Sequence, residues 1–340
     1  MSDTSRLPFV GTKTVKLSSV VAAVAVLLAA PAVNAQGLPA NYPAKPVELN
    51  IPFAPGGGVD LFGRTVARIL YDEKIVPQPV QVTNAPGAGG ARGIAEMVKR
   101  KGDPYSLLGI AIHIIVTPLT LGTPHTYKDV TPIAKLFSEY QMLVVRQDSP
   151  IKTIKDVEAA FKKDPGSVKI GGASLGSGDH LTVSRFAQSV GVDPAKLTYI
   201  AYSGGESNAA ILGGHVDIGL GGLDLMDLVA SGKMRALAIS APQRLGGKFS
   251  NIPTFVEQGY DVVNQNWRGI FAPPGVPAEE VTYWRDALKK MTETAAWKKE
   301  LETHQWVASF EDEKTFTESL AKETKMYTDL LSRLNLVKAK

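Results

Sequence analysis

Four runs of small residues stand where short apolar stretches give way to helical spacing. They are Ala54-Pro55-Gly56-Gly57-Gly58, Ala85-Pro86-Gly87-Ala88-Gly89-Gly90, Gly171-Gly172-Ala173-Ser174-Leu175-Gly176-Ser177-Gly178 and Ser203-Gly204-Gly205. Each would leave a helix N-terminus open at the end of a strand, with unpaired N–H groups, a partial positive charge and no side chain to keep a ligand away. A carboxylate suits such a place. One helix dipole contributes only about 0.3 to 2 kcal/mol, so several must converge to hold a small acid. A single run would be read as a tight turn and nothing more. Four of them beyond the carboxyl ends of strands, where open α/β sheets bind ligands, favour a cleft.

Other chemistries fit less well. The run from Gly171 to Ser177 lacks the Lys of a phosphate-binding loop, and no turn spells G-x-G-x-x-G after a strand. Gly172-Ala173-Ser174-Leu175-Gly176 is a literal G-x-S-x-G, which keeps open a secreted serine hydrolase with Ser174 as nucleophile. His215 and His304 follow it, but neither stands in a segment built like that of a triad histidine. The five His form no H-x-x-x-H or H-E-x-x-H spacing, and the absence of Cys excludes disulfides and thiolate chemistry. No metal, cofactor or catalytic residue is expected.

The elements that would position these turns alternate in the manner of βαβ units. Strands are predicted at Val47–Phe53, Pro79–Thr83, Ser106–Ala111, Val168–Gly171, Leu197–Ala201, Val216–Leu220 and Met234–Ser240. Helices are predicted at Val59–Leu70, Gly93–Lys101, Ile154–Lys163, Leu181–Gly191 and Ser207–Gly213. Further helices at Ala278–Met291 and Asp312–Leu334 would pack outside a finished sheet. Linkers are expected at Asp129–Ser138 and Ala241–Pro253.

With 340 residues, 44% hydrophobic and 21% charged, the chain can bury a large core. At that length one core commonly gives way to two, so two lobes are expected. Residues 1–35 read as a secretory signal: Arg6, Lys13 and Lys16 precede an apolar run from Leu17 to Ala30, and Val33-Asn34-Ala35 resembles a cleavage site. That run is short of the roughly 20 residues of a bilayer span. Losing three cations and one anion with the leader takes the net charge from +4 to +2, which is no nucleic-acid footprint.

The pairing of Pro52-Phe53-Ala54-Pro55-Gly56-Gly57-Gly58-x-Asp60 with Asn84-x-Pro86-Gly87-Ala88-Gly89-Gly90 resembles the substrate-binding proteins of tripartite tricarboxylate transporters, the Bug receptors. Four further blocks continue the likeness: Gly176-Ser177-Gly178-Asp179-His180-Leu181, Tyr199 to Glu206, Leu212 to Asp217 and Asn266 to Gly275. The resemblance implies a two-lobed α/β periplasmic-binding fold of type II, the Venus flytrap. Lobe 1 would comprise 36–136 and 251–340, and lobe 2 would comprise 137–250. It implies a periplasmic, non-catalytic receptor that hands an organic acid to a permease of one large and one small subunit, and a receptor that shuttles has no need to be more than a monomer. A periplasmic sensor subunit is the alternative partner reading. Phe53, Pro55, Gly56, Gly57, Gly58, Asp60, Gly87, Ala88 and Gly89 would act as pincers on one carboxylate. His113, Ser174, Ser177, His180, Tyr202 and Gly204 would face the same cleft. Asp60 would cap its helix or orient the loop, since a carboxylate repels a carboxylate. The Asn266-Trp267-Arg268-Gly269 block is similar to citrate-type members, which favours a tricarboxylate, with Arg268 as partner for the additional carboxylate.

Overall fold

A computed structural model describes residues 41–202, 206–222 and 225–338. The expected signal segment and Gly204 lie outside the described residues. From the start the chain runs β1 (Val47–Ile51), α1 (Gly58–Asp72), β2 (Val80–Asn84), α2 (Ala91–Lys99), β3 (Ser106–Ala111) and α3 (His113–Leu121). It continues through β4 (Thr131–Tyr140), β5 (Met142–Arg146), α4 (Ile154–Lys163), β6 (Lys169–Gly172), α5 (Gly178–Ser189), β7 (Thr198–Ala201) and α6 (Glu206–Leu212). Then come β8 (Ile218–Gly221), α7 (Met226–Ala230), β9 (Met234–Ile239), β10 (Gln265–Ala272), α8 (Ala278–Glu293), α9 (Ala295–His304), β11 (Val307–Glu311) and α10 (Glu313–Arg333).

Two sheets result, in the orders β11-β4-β10-β3-β1-β2 and β7-β6-β8-β5-β9. In the first, β2 and β3 flank β1 in parallel while β10 runs antiparallel to β3 and β4. In the second, β7 and β8 flank β6 in parallel and β5 runs antiparallel between β8 and β9. The mixed α/β architecture expected from the sequence is therefore present, built on two sheets. The segment expected as a linker at 129–138 is instead mostly β4, a ten-residue strand between β11 and β10 in the first sheet.

Each sheet is covered on both faces, which is why β3 is buried at every position. One face of the first sheet packs Phe62 and Val66 of α1 with Trp284, Leu288 and Trp297 of α8 and α9. The other packs Ile94, Ile114 and the α10 stripe Phe316, Leu320, Tyr327 and Leu331, whose spacing of four and seven keeps them on one side of the helix. The second sheet lies between α4 and α5 (Val157, Phe161, Phe186) and α6 and α7 (Ile211, Met226).

The chain passes from the first sheet to the second at Gln141, directly between β4 and β5. It returns between β9 and β10, and on the way Phe255, Tyr260 and Val262 join the core of the second sheet. Ser240 ties the two passages together. Its hydroxyl receives Gln141 N–H at 3.0 Å and donates to Asn264 O at 2.6 Å, its N–H donates to Gln141 O at 2.9 Å, and Asn264 N–H donates to its carbonyl at 3.0 Å.

Candidate functional site

Because β1, β2 and β3 are parallel, their carboxyl ends share one edge, and α1, α2 and α3 all begin there. None of these three helices has a side-chain cap; Gly57, Gly90 and Ile112 occupy the capping positions. Ser, Thr or Asp side chains do cap α4, α5, α9 and α10, through Thr153, Ser177, Thr294 and Asp312. At that shared edge the N–H groups of the first turns thus face outward without a side-chain acceptor. The loops leading into α1 and α2 are exposed at Pro55, Gly56, Gly57, Gly58, Gly87, Ala88 and Gly89. Gly87 through Gly90 all have positive φ, including Ala88 at 47°, so this turn presents backbone in a conformation that L side chains seldom adopt.

Asp60 locks the two loops together. Its Oδ2 accepts from Gly56 N at 2.8 Å and Arg64 Nε at 2.9 Å, and its Oδ1 accepts from Asn84 Nδ2 at 2.9 Å. Asn84, at the end of β2, also donates to Phe53 O at 3.0 Å. Burial works against the charged carboxylate, but the bonds from Arg64, Gly56 and Asn84 outweigh it and hold its pKa down at about 2. Asp60 is thus an orienting group beneath the pincers, its oxygens turned to protein donors.

Behind these loops Phe53 meets the His113 ring edge-on at 4.8 Å. His113 Nδ1 is buried and unpartnered, and burial together with the Arg268 charge pushes its pKa down to about 4. Arg268 lies opposite Ala111 at the carboxyl end of β3, so β10 carries it to the same edge. A methyl group on Gly58 would stand 3.5 Å from Arg268 Nη2. Arg268 is buried and paired: Nη2 donates to Glu139 Oε2 at 2.8 Å, and Nη1 donates to the carbonyls of Asn266 and Trp267 at 3.2 and 3.3 Å.

On the second sheet β6, β7 and β8 are parallel, and α5 starts beyond β6. Ser174 is exposed, Ser177 caps α5, and His180 is buried in its first turn. His180 Nδ1 accepts from Gly176 N at 3.0 Å, which puts the ring proton on Nε2. Its ring lies 4.4 Å from that of Tyr199, whose hydroxyl donates to Ala173 O at 2.8 Å. Burial pushes His180 down to about 4, so it is neutral at physiological pH. Tyr202 is half-buried and its N–H bonds Gly172 O.

The three histidines that follow Ser174 in the chain do not assemble a triad on it. His180 is committed to Gly176, His215 precedes β8 and so lies at the opposite end of the sheet, and His304 pairs with Glu300 in the first lobe. Sequence reasoning missed Glu139 and Gln141, which with Asn266, Gly222, His304 and Gln305 line a cavity of about 430 Å³ next to the Gln141 passage. Gln141 Oε1 and Asn266 Oδ1 are buried there without a partner. No local signal marks Glu139 or Gln141, because only the pairing of β4 with β10 brings that segment beside Asn266.

The family described as "Tripartite tricarboxylate transporter family receptor" matches residues 64–336. A Cupriavidus necator protein, the UPF0065 protein in the gbd 5′ region, is 30% identical over 94% of this chain and 96% of its own. Protein BugT of Bordetella pertussis is 30% identical over 76% of this chain and 80% of its own. Among solved structures, a TctC solute-binding protein from Polaromonas superposes with a TM-score of 0.78 at 29% identity, covering 86% of this chain and all of that one. Two Rhodopseudomonas palustris structures at 21% identity share the fold with TM-scores of 0.69 and 0.64; one, Rpa4515, is with adipate and the other, MatC, is with bound malate. On the match over 64–336 and the likeness of these relatives, the chain belongs to the tripartite tricarboxylate transporter receptor family, whose members are periplasmic solute-binding receptors of transporters and not enzymes.

Proposed function

We propose that this protein is exported to the periplasm, closes two lobes over a small organic acid, and delivers it as a monomer to a permease of one large and one small membrane subunit. The lobes would divide near residues 137–141 and 250–264. The observation that carries the reading is the convergence of three uncapped helix N-termini whose loops are clamped by Asp60 and Asn84. One carboxylate would sit against the N–H groups of Gly57, Gly58, Gly87, Ala88 and Gly89. Ser174, Ser177 and the Nε2–H of His180 would meet the other end of the ligand. Relatives of the same fold solved with adipate and malate support a small carboxylate. The sequence favours a tricarboxylate such as citrate through Arg268, with a dicarboxylate as the alternative; the Arg268–Glu139 pair bears on that choice.

The test is thermal melting of the processed protein, stripped of endogenous ligand, against mono-, di- and tricarboxylates. A true ligand at about a hundred times its Kd stabilises by about 2.7 kcal/mol. No shift with any acid refutes the reading. Ser174→Ala separates the hydrolase alternative: it leaves ligand-induced stabilisation within a few-fold in Kd, whereas an esterase would lose all activity. A pull-down that recovers a signalling protein in place of the permease would favour the sensor.

A further inference from the structure

We propose that Glu139 sets the charge of the acid this receptor accepts, by holding Arg268 in an internal ion pair at the floor of the cleft. The inference rests on the receptor reading above and narrows its ligand.

Arg268 is the cation that stands at the helix starts where a ligand carboxylate would bind: β10 places it opposite the end of β3, and its Nη2 faces Gly58. It cannot turn freely to a ligand. Its Nη1 is held by two backbone carbonyls, its guanidinium lies 5.8 Å from the centre of the Phe137 ring, and its Nη2 is bound by Glu139. The side chain of Arg268 is 8% exposed and that of Glu139 28%, so the carboxylate is the member of the pair that meets the cavity. The other ions described at this edge are paired as well, Asp60 with Arg64 and Arg92 with Glu96. His113 and His180 are neutral at physiological pH.

A first ligand carboxylate is therefore held by backbone dipoles, which carry no formal charge. A further carboxylate reaching toward Arg268 would meet Glu139 first. It would have to be desolvated beside a like charge, with the Arg268 guanidinium already neutralised. Glu139 thus selects against each added carboxylate, while uncharged substituents meet no such repulsion in the cavity that Glu139, Gln141 and Asn266 line. This favours a dicarboxylate over a tricarboxylate.

The experiment is calorimetric titration of the processed protein with two pairs of acids that differ by one carboxymethyl or carboxyl group: glutarate against tricarballylate, and malate against citrate. The wild type is expected to bind the dicarboxylate of at least one pair at least tenfold more tightly, about 1.4 kcal/mol. Glu139→Gln is expected to shrink that ratio tenfold or more by tightening the tricarboxylate. Glu139→Asp should restore the wild-type ratio, and Arg268→Ala added to Glu139→Gln should abolish the gain. A ratio that stays constant while both affinities move together marks Glu139 as structural and overturns the proposal. So does a wild-type preference for the tricarboxylates, or binding of none of the four when other acids bind. If no acid of any kind binds, the receptor reading itself fails.

Discussion

Replacing Asp60 by Asn tests the clamp beneath the pincers. The pKa of Asp60 falls from an ordinary 3.8 to about 2 in the folded protein. At about 1.36 kcal/mol per unit, that depression corresponds to about 2.5 kcal/mol of stability near neutral pH. The sign follows from the depressed folded value: the contribution is complete above the unfolded pKa and is lost as pH falls toward the folded one. About half should remain near pH 3 and almost none below about pH 1.5. An amide in place of the carboxylate also turns an N–H toward Arg64 and Gly56 or toward Asn84, where three donors already point. Urea denaturation of wild type and Asp60→Asn, repeated from about pH 7 to pH 3, should give a stability difference of about 2 to 3 kcal/mol that narrows on acidification. Ligand affinity should fall at least tenfold, because Gly56 and Phe53 lose their common anchor. A difference below about 0.5 kcal/mol at neutral pH, or one that widens on acidification, refutes the assignment of Asp60 as the charged clamp.

Gly58→Ala should leave urea stability within about 1 kcal/mol, since Ala is accepted in a first helical turn, while a methyl set 3.5 Å from Arg268 Nη2 weakens acid binding at least tenfold in calorimetry. His113 and His180 are both held neutral down to about pH 4, so folding stability should drop between about pH 6.5 and 4 as the unfolded chain takes up protons that the folded chain refuses. The double variant His113→Phe/His180→Asn should flatten that part of the pH profile in urea titrations. Glu280 is fully buried in the first turn of α8 with both oxygens unpartnered, and burial plus the Asp103 charge pushes its pKa up to about 8. A folded pKa raised this far costs stability as pH rises through the range from the unfolded value to about 8, so Glu280→Gln should raise stability by about 1 to 3 kcal/mol at pH 8 and by almost nothing near pH 4.

The parallel half of the fold was legible because its signals are local. Ser106–Ala111 and Ile154–Lys163 were read to the residue, the first as an unbroken apolar run and the second from helical spacing; Thr153 and Asp156 form a capping box there. The four strands that were not expected, β4, β5, β10 and β11, all enter antiparallel pairings with distant segments. β4 carries Lys135 and Glu139 within a run that looks interrupted, and only its neighbours make that tolerable: Lys135 pairs with Glu311 of β11, and Glu139 pairs with Arg268 of β10. β10 hides for the same reason, since Arg268 and Gly269 break its apolar pattern. The glycine-rich turns stood out in the sequence, and of the two roles it left open for Asp60, capping its helix or orienting the loop, the bonds to Gly56 and Asn84 match the second. The partner of Arg268 was not, because 129 positions separate it from Glu139.

Ser240 stitches the two interlobe passages side by side at Gln141 and Asn264, and Asn264 reaches further, donating to Gly178 O at 2.9 Å and Thr182 Oγ1 at 2.8 Å in the first turns of α5. Tyr327 of α10 donates to Asn264 Oδ1 at 2.8 Å from the opposite lobe. Two passages bonded side by side at one point make a single crossing between the sheets. In the proposed closure the lobes would turn about this crossing, and the helix that carries Ser177 and His180, bonded to Asn264 at its first turns, would ride on the pivot. Ligand size would then be reported outward as one quantity, the opening angle, which a membrane partner touching both lobes can read without contacting the ligand.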